Sequence, residues 1–441
     1  MMFRLVALVS AWLLASVSLA ADYFVSPDGD DGQAGTLDAP FQSLPRAQAV
    51  AQPGDTVWLR GGTYRIGESQ IVQNRRGRAF VMLMDKSGDE TKPIRYWAYE
   101  SEKPIFDLSD VKPAGARVTA FHVTGSWLHF KGICVTGVQV TILGHTQSIC
   151  FDNQGSHNVY EQLTMRDGQA IGFWLGRGSH NLVLNCDAYQ NHDFTSENGR
   201  GGNVDGFGFH VPYGSVGNVF RGCRAWFNSD DGFDLITTKE AVTVENCWAM
   251  YNGYNADFKS LGDGTGFKAG GYAREPASRI PDPIPRHIIQ KCLAVRNKAS
   301  GFYANHQPGG ADWLNNSAYK NGINFNMLGR DRIQVNLDVD GYGHFMRNNL
   351  GFRGRRELLN LNVERSDAKH NYFDLPLKVT ADDFVGLDES ELLLPRKPNG
   401  DLPDVRFMQL AVGSDLVDRG VDVGLPFEGS SPDLGAFESL P

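Results

Sequence analysis

From about residue 170 to 325 the hydrophobic residues come in short runs rich in Val, Ile, Phe and Trp, each closed by Gly, Asn or Asp. Runs this short, bounded by turn-tolerant residues, predict strands rather than helices. Two patterns alternate through them. One is Gly-Phe, at Gly172-Phe173, Gly206-Phe207, Gly232-Phe233, Gly266-Phe267 and Gly301-Phe302, with Asn324-Phe325 as a degenerate sixth copy. The other is Cys-x-Ala-x-x-Asn, from Cys186 to Asn191, Cys223 to Asn228, Cys247 to Asn252 and Cys292 to Asn297. Asn316 to Asn321 repeats it with Asn in the cysteine place. Ala225 to Ala249 and Ala294 to Ala318 each span 24 residues, and Gly301 to Asn324 spans 23.

A period in the low twenties, built from several short strands, predicts an all-β fold: a right-handed parallel β-helix with one repeat per coil. The leucine frame of a leucine-rich repeat of similar length is absent. Equivalent positions in successive coils stack about 4.8 Å apart. Phe173, Phe207, Phe233, Phe267 and Phe302 therefore predict an inward aromatic column. Cys186, Cys223, Cys247 and Cys292 predict a second inward column of small apolar groups, read as free thiols rather than disulfides. The recurring asparagines fall at turns, where amides bond along the stack and tolerate left-handed backbone. Near the start, Leu44 to Ala51 predicts a helix that covers the open end of the coils, followed by a strand at Thr56 to Leu59. Residues 21–345 are thus expected to form the β-helix with its N-terminal helical cap. Residues 346–441, where the repeat fades, are expected to be a tail packed on the coils.

Composition sharpens this picture. With 41% hydrophobic and 21% charged residues among 441, the chain can bury a large core. Its net charge of −9 argues against a nucleic-acid-coating protein. Residues 1–20 read as a signal peptide: Arg4, then an apolar run from Leu5 to Leu14, then Ser18-Leu19-Ala20 before the expected cleavage. The expectation is an exported monomer, extracellular or periplasmic, with no membrane segment after cleavage. Losing Arg4 would take the charge to −10.

Chemistry collects where the array is broken. The alanine motif and the next Gly-Phe are 7 residues apart between Ala225 and Gly232, but 18 between Ala188 and Gly206 and 17 between Ala249 and Gly266. A third insertion lies around residues 273–285. Insertions on one edge of a solenoid usually build its binding face. Asp205 and Asp231 stand immediately before the glycines of two of these coils, in the bend entering each strand, with Asp230 beside them. If each Phe points inward, the next residue points outward. Asp234 and Lys268 then become outward neighbours on adjacent coils. Clustered carboxylates repel one another unless a cation intervenes. Hard oxygen donors of this kind suit Ca²⁺ rather than Zn²⁺.

The runs NVDGFGF, NSDDGFDLI and GDGTGFKAGG, with the asparagine-closed repeats between them, resemble the pectate lyases of polysaccharide lyase family 9. The likeness extends to the opening YFVSPDGDDGQAGTLDAPF and the closing SPDLGAFE. By this resemblance the family's calcium carboxylates fall on Asp205, Asp230, Asp231 and Asp234, and its catalytic lysine on Lys268. It implies β-elimination across an α-1,4-galacturonosyl linkage, with a lysine base and a 4,5-unsaturated product. One departure is Phe209-His210, where the polygalacturonate enzymes have a more basic segment, so the resemblance leaves the substrate open. Polygalacturonate is the first expectation and rhamnogalacturonan I the second.

An anionic polymer meets no long-range attraction from this net charge, so its binding must rest on local cations. Candidate subsite contacts are His210 and His306, with Arg274 and Arg279 on the third insertion and Trp174 and Tyr303 in the Lys268 column. Two other functions remain in view. A polygalacturonase-type hydrolase would use paired carboxylates, but its Gly-His-Gly signature is missing and Lys268 would have no role. A non-catalytic carbohydrate-binding β-helix would need no base.

Overall fold

The computed structural model describes residues 20–439 except Arg274, so residues 1–19 of the expected signal peptide and that arginine lie outside the described residues. Three long sheets of 12, 10 and 11 strands run the length of the molecule, each coil contributing one short strand to each sheet. Pairing between successive coils is parallel, as a parallel β-helix requires. The third sheet carries the Gly-Phe motif at strands β1 (Ala170–Leu175), β2 (Phe207–Phe209), β3 (Phe233–Asp234), β4 (Phe267–Lys268) and β5 (Ser300–Tyr303), its degenerate copy on β6 (Ile323–Asn326), and continues without it into β7 (Arg356–Leu359).

The expected phenylalanine column is present. Phe207, Phe233, Phe267, Phe302 and Phe325 are fully buried, with successive rings stacked at 4.8, 4.8, 5.1 and 5.0 Å. That repeat is the strand spacing itself. Phe173 is equally buried but meets Phe220 edge-on. Cys186, Cys223, Cys247 and Cys292 are buried free thiols.

The asparagines form a ladder. Asn228 Nδ2 donates to Asn252 Oδ1 at 3.1 Å, Asn252 to Asn297 at 3.0 Å and Asn297 to Asn321 at 3.0 Å. Each also donates to the alanine carbonyl of the preceding coil, as Asn252 Nδ2 does to Ala225 at 3.1 Å. The left-handed residue is not the asparagine, however, but the one before it: Gln190, Phe227, Tyr251, Arg296 and Lys320 have φ between +50° and +58°. The asparagine's role is to satisfy buried backbone groups at the turn. The ladder and the Gly-Phe motif are one device. A Cβ on Gly232 would stand 2.9 Å from Asn252 Nδ2 and 3.0 Å from Ala249 Cβ. Only glycine lets the third sheet approach that turn so closely.

Helix α1 (Leu44–Val50) starts at Ser43, whose side chain accepts from the Arg46 N–H, and buries Leu44 and Ala47 against the N-terminal coils. At the other end, strands continue past residue 345: Phe345–Arg347, Leu350–Phe352, β7 and Asp367–Ala368 extend all three sheets. The remaining segment turns back along the second sheet, where Leu392 and Phe407 are buried and Arg396 reaches Asp187.

Candidate active site

The outward column of the third sheet reads, coil by coil, Asp152, Trp174, Gly208, Asp234, Lys268, Tyr303 and Asn326. Asp234 and Lys268 are direct register partners on β3 and β4. Asp205 and Asp231 occupy the bends before β2 and β3 and are stitched together, the Asp231 N–H donating to Asp205 Oδ1 at 3.1 Å. Asp231 Oδ1 in turn accepts from the Thr265 N–H at 2.6 Å, and Asp234 Oδ1 from the Ile236 N–H at 2.8 Å.

Asp205, Asp231 and Asp234 each bring an oxygen within 4.8 Å of the others. Asp230 is buried beside them, but its Oδ1 accepts from the Asp263 N–H at 3.1 Å, and it does not join the three at that separation. Lys268 Nζ lies 3.0 Å from Asp231 Oδ2 and 3.1 Å from Asp234 Oδ2. Four carboxylates therefore face one ammonium in a nearly enclosed site. Burial and mutual repulsion push the Asp205, Asp230 and Asp231 carboxyls above their ordinary range. Burial pulls the Lys268 ammonium down, but the surrounding carboxylates outweigh it and hold its pKa well above the usual value. The donor set is hard, anionic and short of positive charge, which fits an oxygen-loving divalent cation.

The histidines border the same column through its aromatic members. His210 is exposed, its ring 4.5 Å from that of Trp174. Trp174 lies over Gly208, where a Cβ would stand 2.6 Å from the indole. His306 Nε2 is 3.2 Å from the Tyr303 hydroxyl, and its Nδ1 is 2.9 Å from Asp338 Oδ1. Arg279 is mostly exposed and pairs with Glu275 at 3.1 Å on its own insertion.

Sequence reasoning missed a basic wall. A cavity of about 650 Å³ opens beside the column, lined by Thr265, Tyr303 and Asn326 together with Lys298, Arg355 and Arg356. Arg355 and Arg356 belong to the RGRR run on and before β7, beyond the point where the repeat becomes unreadable. A larger cavity of about 800 Å³ lies under α1 among Tyr64, Phe106 and Ile71, remote in sequence and register from the carboxylates.

Known proteins resemble this chain over most of its length. Residues 23–349 match the family described as Pel9A-like, right handed beta helix region, and residues 362–437 match Rhamnogalacturonan lyase-like, C-terminal. Pectate lyase L of Dickeya chrysanthemi is 34% identical over 97% of this chain and 93% of its own length. A solved rhamnogalacturonan lyase is 45% identical, with a TM-score of 0.86 over 90% of this chain and 98% of that one. The crystal structure of pectate lyase Pel9A is 32% identical, with a TM-score of 0.76 over 96% and 98%. These likenesses leave no room for the hydrolase or the non-catalytic reading. The chain belongs to the Pel9A-like right-handed β-helix family, polysaccharide lyase family 9, and is a polysaccharide lyase.

Proposed function

We propose that this lyase is an exported, calcium-dependent enzyme that cleaves the galacturonate-containing backbone of rhamnogalacturonan I by β-elimination, with Lys268 as the base. The observation that carries the chemistry is the register of Lys268 with Asp234, beside Asp205 and Asp231. Asp205, Asp231 and Asp234, with Asp230 behind them, would hold the calcium. When bound, calcium would supply positive charge against the substrate carboxylate and make the adjacent C5–H more acidic.

The chain's own residues supply the rest. Abstraction of the C5 proton needs a neutral lysine amine. Asp231 and Asp234 hold Lys268 protonated by direct ion pairs. Once those carboxylates are engaged elsewhere, burial is the force left acting on Lys268, and burial favours the neutral amine. Lys268 then takes the proton from C5, the C4–O bond breaks, and the electron pair of the C5–H bond becomes the 4,5 double bond. The departing glycosidic oxygen acquires a proton, closing the balance. Trp174, close over Gly208 in the same outward column, would pack on a sugar ring next to the reacting one.

The 45% identical rhamnogalacturonan lyase and the C-terminal family match favour rhamnogalacturonan I as substrate. Polygalacturonate is the second reading, favoured by the 34% identity to pectate lyase L. The test is ultraviolet detection of unsaturated product from the two polymers side by side, with calcium and with EDTA. A calcium-dependent product from rhamnogalacturonan I, with little from polygalacturonate, is expected. The reverse preference would install the second reading, and product that persists in EDTA would sink the calcium assignment.

A further inference from the structure

We infer that Lys298, Arg355 and Arg356 form a carboxylate subsite that grips a second uronate of the bound polysaccharide, away from the sugar that reacts at Lys268. This deepens the lyase reading above and rests on it. The first observation is charge without a partner. Arg224, Arg396, Arg347, Arg286 and Lys320 each have a carboxylate within 4 Å. Among the described residues, Lys298, Arg355 and Arg356 have none. Asp263, exposed at the rim, is the carboxylate that shares their cavity. In a chain of net charge −9, three unpaired cations on one cavity wall form a local positive field against the overall negative charge.

The second observation is placement. Arg356 is in register with Ile323 and Ser300, and its strand β7 lies three strand steps from β4, which carries Lys268. At about 4.8 Å per step, that is roughly 14 Å along the coil axis. The two positions cannot hold the same carboxylate, so the subsite takes one from another sugar of the same chain. The cavity that holds Arg356 reaches Thr265 and Tyr303, the latter the register partner of Lys268.

The third observation is local geometry. Arg355 Nη2 donates to the Lys298 carbonyl at 3.3 Å. Gly322 leaves it room, since a Cβ there would stand 3.0 Å from the same nitrogen. Lys298 Nζ is anchored on the carbonyls of Leu261 and Gly262, at the edge of the second insertion. The Arg356 guanidinium is exposed and makes no side-chain hydrogen bond among the described residues, so both its edges are free for a bidentate carboxylate pair. In the other direction from Lys268 the column carries Asp234 with its acidic neighbours, then Gly208, Trp174 and Asp152, the last tied to His122 at 2.7 Å. The three cations thus stand on the side of the base opposite the carboxylate cluster, where a second uronate meets positive charge.

The test is calorimetric binding of saturated rhamnogalacturonan I oligosaccharides and of oligogalacturonides, in calcium, to Lys268→Ala protein with and without Arg356→Gln. Arg355→Gln is added as a second step. Because Lys268→Ala does not turn over, the readout is independent of catalysis. Expected is a loss of affinity of about tenfold per arginine for the preferred oligosaccharide, in the range of a charge-assisted pair, with a shallower dependence on salt. Arg356→Lys should recover part of it. Unchanged affinity and salt dependence in both glutamine variants would overturn the subsite, as would failure of the parent protein to bind either oligosaccharide. If the parent binds and the variants weaken but wild type forms no unsaturated product, the subsite stands and the reaction assigned to Lys268 fails.

Discussion

Asp187, on the second sheet, and Asp231, in the bend that enters the third, belong to the same stretch of coils, both nearly enclosed, and their surroundings are opposites. Asp187 is held by two arginines: Arg224 through Nε and Nη2 at 3.0 and 2.9 Å, and Arg396 through Nη2 at 2.7 Å. Burial pushes its pKa up, but the two guanidiniums outweigh it and hold the carboxyl below its ordinary range. Asp231 shares one ammonium with Asp234, and burial together with repulsion by Asp234 outweighs that ammonium and raises its pKa. One site has more cation than it needs and pins the C-terminal segment to the coils. The other lacks cation and sits on an open groove. A buried charge that is fully paired holds structure together; one left short is poised for a ligand.

The comparison can be broken most severely at Lys268. Lys268→Ala should lower the rate of unsaturated-product formation by about 10³-fold or more, since it removes the base from the reaction, while calcium binding persists. Stripping calcium with EDTA should cost about a hundredfold or more in rate, given the several kcal/mol that a cation supplies to a developing anion. It should also lower the melting temperature, because a ligand that binds only the folded chain stabilises it.

At the paired site the effect moves from rate to stability. Arg396→Met leaves Asp187 with Arg224 alone and should destabilise the fold by about 3 kcal/mol, read by denaturant unfolding. Rate per folded molecule should be unchanged.

The smallest effect sharpens the contrast by sign. Asp187, with its lowered pKa, contributes stability above the unfolded value of about 3.9, and loses it as pH falls through the folded value. Asp205 and Asp231, with raised values, do the reverse in EDTA: their contribution is present in acid and lost as pH rises through the folded values. Melting curves against pH should therefore diverge between calcium and EDTA, with the gap widening toward neutral pH.

Much of this was legible because β-helix coils repeat. Gly-Phe and Cys-x-Ala-x-x-Asn carry the period, and the period alone places Asp234 beside Lys268. What the sequence hid has physical reasons. Arg355 and Arg356 lie in coils whose inward residues have drifted, Leu358 standing where Phe would be, so no motif marks their register. Asp230 reads as an equal member of the acidic cluster, but its hydrogen bond to the Asp263 loop depends on how an insertion folds, which spacing does not report. The left-handed residue before each asparagine varies from Gln to Phe to Lys, because the turn constrains backbone and leaves that side chain free.

The most direct test of the central claim is calorimetric titration of calcium into wild-type protein and into Asp231→Asn at neutral pH. The account predicts one saturable site in the wild type and loss of measurable binding in the variant, with its melting temperature in EDTA preserved or raised, since a repelling buried charge is gone. Calcium binding that survives Asp231→Asn unchanged, or its absence from the wild type, would contradict it.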